Sequence, residues 1–165
     1  EHTSRGLGDV YKRQVDIDEA KIIMEKIEGK PLIEILRSNE HDEELLIKVG
    51  RSIRELHRNA VNHGDLSTNN ILISDNRDAF LIDLGLATRE YDLEGFGIDL
   101  HVLHEILRAS HPDVKGAMDL VLKGYSQLDE ELGKPEAAPG GFPPDAEDVI
   151  KRLGQIMKRV RYHGG

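Results

Sequence analysis

Residues 62–85 constrain this chain more than any other stretch. They read Asn62-His63-Gly64-Asp65-Leu66-Ser67-Thr68-Asn69-Asn70, then the apolar run Ile71-Leu72-Ile73. A turn of Ser74, Asp75, Asn76, Arg77 and Asp78 follows, then Ala79-Phe80-Leu81-Ile82 and Asp83-Leu84-Gly85. Two short apolar runs around an Asp/Asn-rich turn predict a β-hairpin. Asp65 and Asn70 precede its first strand and Asp83 follows its second. Both polar clusters therefore emerge at one end, which places two carboxylates and an amide around one small volume.

Such a group suits phosphoryl transfer from a metal-bound nucleotide. Mg²⁺ prefers oxygen ligands, commonly one or two carboxylates with phosphate and water. Asp83 and Asn70 can supply the protein oxygens, and Asp65 can orient an attacking hydroxyl and accept its proton. The pattern resembles the protein-kinase catalytic loop His-x-Asp-x-x-x-x-Asn followed by Asp-Phe-Gly. Gly64 stands where Arg is usual, and Leu84 where Phe is usual. The plain alternative is an acidic surface hairpin with no ligand. Two matching halves, in order, around a strand–turn–strand argue against it.

Composition sets outer bounds. The chain has 165 residues, enough for one domain with a core. Tryptophan is absent and aromatic residues make up 4%, so aliphatic side chains must fill that core. With no cysteine, disulfides, Cys-based zinc sites and thiol catalysis are excluded, and a reducing cytoplasm is the expected setting. No apolar run approaches the ~20 residues of a membrane span. The net charge of −9 argues against a broadly nucleic-acid-binding surface.

Residues 1–14 contain Gly6-Leu7-Gly8-Asp9-Val10-Tyr11-Lys12, which imitates a kinase glycine-rich loop. Spacing rejects it, because such a loop needs further strands, a Lys and a Glu-bearing helix before the catalytic half. This segment is similar to translated adapter sequence and is expected to lie outside the fold. Residues 15–29 then form a strand, clearest over 20–24, and a segment over 25–29 that ends in a turn. In a kinase this is the last small-lobe strand and hinge, making the Glu25 and Ile27 main chains candidates for adenine contact. An ordinary strand and turn fits these residues equally well. Apolar groups around Ile22, Ile23 and Ile27 are expected to be exposed.

Residues 30–165 read as mainly helical after that. Helices are expected over 31–38, with Pro31 in the first turn, and over 41–60. In the second, Leu45, Leu46, Val49, Ile53, Leu56 and Ala60 share a face, and His57 beside it reads as a packed residue. His63 with Ser67 and Asp65 does not make a hydrolytic triad, since no nucleophile-elbow glycine pattern surrounds a Ser. His63 reads as support for the loop backbone. A helix over 93–109 follows Gly85 closely, with Ile98, Val102, Leu103, Ile106 and Leu107 inward. A kinase would place a long activation segment there, and none is present. Asp99 early in that helix can bond the catalytic-loop backbone or stand solvated. Another helix is expected over 114–132, with Gly124 as a possible break and Ala117, Leu120, Val121 and Leu128 inward. Residues 133–144 hold four prolines and three glycines and form a loop. The last helix starts near Asp145. From Lys151 onward it carries Lys151, Arg152, Lys158, Arg159 and Arg161 and no acid. A solvated end and a phosphate-binding tail both fit that charge. Lys151, Lys158 and Arg161 are spaced to share one helix face.

These residues resemble the small atypical kinases of the KEOPS complex, the PRPK family. The resemblance rests on His63-Gly64-Asp65-Leu66-Ser67-Thr68-x-Asn70, Leu81-Ile82-Asp83-Leu84-Gly85-Leu86 and Asp99-Leu100-His101-Val102-Leu103. It continues in Ser110-His111-Pro112, Gly124-Tyr125 and the basic tail. It implies an α+β, protein-kinase-like large lobe with a catalytic hairpin, the small lobe missing. It implies ATP and Mg²⁺ as cofactors, with Asp65 catalytic, Ser67, Asn70 and Asp83 at the nucleotide, and Asn70 and Asp83 on the metal. It further implies Ser/Thr phosphorylation or ATP hydrolysis within the complex that makes threonylcarbamoyladenosine on tRNA. The implied partners are a metalloprotein transferase subunit, a small regulatory subunit, and tRNA through the tail. Aminoglycoside- or choline-type phosphotransferases share His-Gly-Asp, but their second motif differs from Asp83-Leu84-Gly85. A RIO-type kinase also lacks an activation segment, and a non-enzymatic scaffold is a third reading.

Overall fold

A computed structural model describes residues 10–18, 21–137, 139 and 141–163. Two long strands open it, β1 (Val10–Asp18) and β2 (Lys21–Pro31), paired antiparallel. Two helices follow, α1 (Leu32–Arg37) and α2 (Glu43–Arg58). Next come β3 (Val61–Asn62), the hairpin β4 (Ile71–Ser74) and β5 (Ala79–Leu81), a 3-10 turn (Leu84–Leu86) and β6 (Thr88–Arg89). Three long helices close the chain, α3 (Leu93–Ser110), α4 (Ala117–Leu132) and α5 (Ala146–His163). The strands form a four-stranded antiparallel sheet, β1-β2-β4-β5, and a small β3-β6 pair. This is the α+β, mainly helical arrangement with a β-hairpin that the sequence led us to expect.

The N-terminal region differs from expectation. Residues 1–9 and Ala20 lie outside the described residues, but Val10 to Gln14, set aside as adapter-like, run in β1 opposite Glu28 to Met24. Nor does the segment over 25–29 end in a turn, since β2 continues to Pro31 and pairs with β4 through Gly29 and Ser74. Gly29 is a close-approach glycine rather than a turn glycine. A Cβ there would lie 2.1 Å from the Ile73 carbonyl oxygen. Ile27, expected on an exposed surface, is buried.

Helix α2 begins on Asp42, whose carboxylate accepts the Leu45 amide at 2.8 Å. Such a cap stabilises a helix by about 1 kcal/mol. Its apolar face, Leu45, Leu46, Val49 and Ile53, joins the core with Leu66, Ile71 and Ile73. The face also turns toward Arg54 and His57, both buried, while Leu56 is only half-buried. Gly124 does not break α4. A Cβ at Gly124 would sit 1.9 Å from Ile47 O, and one at Gly50 would sit 1.8 Å from Val121 O. The two glycines let α2 and α4 cross backbone to backbone. In α3 the buried stripe is Phe96, Leu100, Leu103 and Leu107, rotated from the one expected, and Ile98 is exposed. The rotation also carries Asp99 inward. No helix among the described residues is long and apolar enough to cross a membrane.

Candidate active site

The site is built where β3, the hairpin and the start of α3 meet. The loop leaves β3 at His63, which is fully buried. Its Nε2 faces the Ile82 carbonyl oxygen at 2.7 Å, and its Nδ1 lies 3.1 Å from the Asp65 amide. A backbone amide can only donate, so Nδ1 accepts and Nε2 carries the proton. His63 thereby ties the residue before Asp83 to the backbone of Asp65. This is the loop-supporting role expected for it.

Asp99, buried in α3, holds the same loop. Its Oδ2 accepts the His63 amide at 2.8 Å and its Oδ1 the Gly64 amide at 3.0 Å. The solvated alternative for Asp99 is therefore ruled out. Gly64 has φ of +86°, and a Cβ would lie 2.5 Å from the Leu86 carbonyl oxygen. A side chain here is opposed by both backbone and space, which accounts for glycine where kinases usually carry arginine. A further brace comes from His111, whose ring meets the Thr68 hydroxyl at 3.1 Å. It gives His111, named above only among the residues that carry the resemblance, a contact of its own.

Asp65 is exposed, whereas Asn70 and Ser67 are buried. The Asn70 amide nitrogen donates to the Asp65 carbonyl at 2.8 Å and to Asp65 Oδ2 at 3.2 Å. With the amide so oriented, Asn70 Oδ1 accepts no hydrogen bond among the described residues. The Ser67 contribution is through the backbone: its amide donates to Asp65 O and its carbonyl accepts from Asn70 N, both at 3.0 Å. Across the hairpin, the Ile82 amide donates to Asn70 O at 2.9 Å. Asp83 follows in the left-handed region, φ 60° and ψ 66°, and leads into the 3-10 turn. A non-glycine residue held there costs of order 1–3 kcal/mol, strain that clusters at functional sites. The Ile82 amide on Asn70 O and the His63 ring on Ile82 O thus bring the backbone just before Asp83 beside the Asp65–Asn70 loop.

The donor set is oxygen only: the Asn70 amide oxygen and the exposed Asp83 carboxylate. No group of three or more His, Cys, Asp or Glu among the described residues could hold a metal alone. Two protein oxygens completed by phosphate and water fit magnesium better than a transition metal. Glu25 and Ile27 lie inside β2, opposite Arg13 and Tyr11 of β1, rather than in a hinge turn. A cavity of about 430 Å³ between α4 and α5, edged by Asp129, Lys134, Asp145 and Glu147, involves none of the site residues.

The tail is partly neutralised, contrary to the sequence reading. Arg152 Nη1 reaches Glu94 Oε2 at 2.8 Å, and Arg159 bonds the other oxygen of that carboxylate. These bonds, Arg152 first, hold the Glu94 carboxyl below its ordinary value. The partner was invisible from the tail's own sequence because Glu94 lies in the first turn of α3. Lys151, Lys158 and Arg161 remain exposed and without an ion-pair partner among the described residues.

The chain is similar to known kinases and tRNA-modification proteins. The profile of the lipopolysaccharide kinase (Kdo/WaaP) family matches residues 6–109. The chain is 35% identical over 161 residues to the KEOPS complex subunit Bud32 of Pyrococcus abyssi, covering 95% of this chain and 67% of that protein. It is 32% identical over 148 residues to a probable serine/threonine-protein kinase BUD32 homolog of Archaeoglobus fulgidus, covering 90% and 65%. A probable bifunctional tRNA threonylcarbamoyladenosine biosynthesis protein of Methanosarcina acetivorans is 35% identical over 147 residues, covering 89% of this chain and 23% of that protein. The chain thus spans under a quarter of the bifunctional relative and about two thirds of the stand-alone ones.

Proposed function

The chain belongs to the lipopolysaccharide kinase (Kdo/WaaP) family as its profile defines it, and within that to the Bud32 kinases, and from this premise we propose that it transfers the γ-phosphoryl group of Mg-ATP. The observation that carries this reading is the Asn70–Asp65 pairing on a braced loop that is tied, through Ile82, to the segment entering Asp83. Asp83 and Asn70 Oδ1 would hold Mg²⁺, and the metal, when bound, supplies charge neutralisation for the phosphates. Asp65 has one carboxylate oxygen accepting from Asn70 and the other without a partner among the described residues, so it can orient a hydroxyl or water and take its proton. Ser67 shapes the turn between them. Glu25 and Ile27 would offer main-chain groups of β2 to adenine. The acceptor is a Ser/Thr hydroxyl or water, giving protein kinase or ATPase behaviour.

The biological setting we propose is the KEOPS assembly, making threonylcarbamoyladenosine on tRNA in the cytoplasm beside a metalloprotein transferase subunit and a small regulatory subunit. The names of the relatives support it, as does the identity that runs through α4 and α5, beyond the reach of the kinase profile. Residues 30–165 would act as the large lobe, with residues 15–29 leading into it. Lys151, Lys158 and Arg161 would meet tRNA backbone or a partner subunit. The test is Mg²⁺-dependent consumption of ATP by the protein extended to the length of its stand-alone relatives. Turnover that disappears on chelation is expected, and metal-independent turnover would overturn the reading.

A further inference from the structure

The catalytic loop is held by Asp99, and Asp99 is itself held from further away. His57 of α2 is buried, and its Nε2 lies 2.9 Å from Asp99 Oδ2. The other ring nitrogen, Nδ1, lies 2.7 Å from the hydroxyl of Tyr125 in α4. Tyr125 is wholly buried, and Arg54 Nη1 donates to its oxygen at 3.4 Å. The ring of His57 also stacks on Phe96, with centroids 4.3 Å apart, so it cannot rotate freely.

One proton arrangement satisfies every member. Asp99 accepts two backbone amides and has no proton to give. His57 Nε2 must therefore carry hydrogen and donate to it. Burial disfavours the imidazolium and lowers the His57 pKa, against the pull of Asp99, so Nδ1 is an acceptor. Tyr125 then donates its hydroxyl hydrogen to Nδ1, and Arg54 supplies the bond that Tyr125 accepts. Burial raises the Tyr125 pKa, which keeps that hydrogen in place. Arg54 is in turn fixed by Asp129 at 2.8 Å and by the Pro144 carbonyl at 2.9 Å. From Arg54 through Tyr125 and His57 to Asp99, each donor points toward the catalytic loop.

We propose that Tyr125 is a positioning residue for the catalytic loop: through its hydroxyl it fixes the His57 tautomer, which aligns Asp99 on the His63 and Gly64 amides and so sets the place of Asp65. This rests on the phosphoryl-transfer reading for its consequence in turnover but not for its geometry. Without the hydroxyl, Nδ1 is left buried and unpaired, and the ring loses the contact that selects its orientation. Fold and core are otherwise intact, because Phe fills the same space.

The test has one arm for each part. In the wild-type chain, imidazole ¹⁵N spectra should show His57 protonated at Nε2 with Nδ1 an accepting nitrogen. In Tyr125→Phe, that Nδ1 signal should move, and amide exchange at His63 and Gly64 should accelerate roughly tenfold relative to core amides such as Leu103. In the extended protein, Tyr125→Phe should lower kcat with the ATP KM within about twofold. A uniform rise in exchange, or unchanged exchange with unchanged kcat, overturns the proposal. Should Tyr125→Phe fail to fold, the wild-type spectrum alone decides, since a proton on Nδ1 contradicts it. Absence of any turnover in wild type would sink the phosphoryl-transfer reading and leave the spectral arms standing.

Discussion

At the scale of single residues, roles divide by whether a side chain faces solvent or backbone. Asp65 is exposed, while His63, Asp99 and Asn70 spend their hydrogen bonds on the loop. Asp65→Asn should therefore leave nucleotide affinity within a few-fold and lower kcat by about 100-fold or more, measured by calorimetry and steady-state kinetics. Loss of affinity with normal turnover at saturation would assign Asp65 elsewhere. Gly64→Ala should damage the loop, because a Cβ would meet the Leu86 carbonyl at 2.5 Å. The expected outcome is lower thermal stability together with lower turnover; a fully active, equally stable variant would contradict that packing. Buried His57 adds a pH dependence. Its folded pKa is below the ordinary 6.5, chiefly through burial, so the unfolded chain binds the proton more readily. That contribution to stability is complete above about 6.5 and is lost as pH falls toward the folded value. The melting temperature of the wild type should drop as pH is lowered through this window, and His57→Gln should flatten the drop.

At the scale of elements, the hairpin and the helices were legible because their patterns are local. Ile71 to Ile73, the Asp/Asn turn and Pro31 at the start of α1 each specify structure within a few residues. The α3 stripe was misread by a partial turn because Ile98 is apolar yet exposed, while Asp99 is polar yet buried by its bonds to two amides. Hydrophobic periodicity cannot register a carboxylate that the fold pays to bury. Gly29 and Gly124 were read as punctuation, but both mark backbone contacts with distant strands or helices. The tail charge was misjudged for the same reason, since Glu94 lies far back along the chain. The element-scale prediction follows from that pairing. Replacing Lys158 and Arg161 with Ala should weaken tRNA binding by the assembled complex and flatten its log–log salt slope by about 1–2. Arg159→Ala should change the slope little, since Arg159 is already occupied by Glu94. Equal slopes in all variants would make α5 a solvated helix end.

At the scale of the whole molecule, the candidate site draws on residues from β3, the hairpin, α2, α3 and α4, so its chemistry depends on the helical core remaining intact. The motif that proposes the site was legible, because His63 to Asn70 and Asp83 stand at a recognisable spacing. Their supports at His57, Tyr125, His111 and Glu94 were not, because each acts across the fold. The 165-residue chain alone should bind Mg-ATP weakly in calorimetry, since β1 and β2 are the described part of any upper wall and pocket burial supplies most affinity. Tight binding would mean that the nucleotide lies elsewhere. The central claim is that the Asp65–Asn70–Asp83 cluster holds metal and nucleotide for phosphoryl transfer. Its most direct test is Mg²⁺-dependent ATP turnover by Asp83→Ala in the extended protein, beside the wild type under the same conditions. The account predicts that turnover is abolished in the variant, and turnover at the wild-type rate would contradict it.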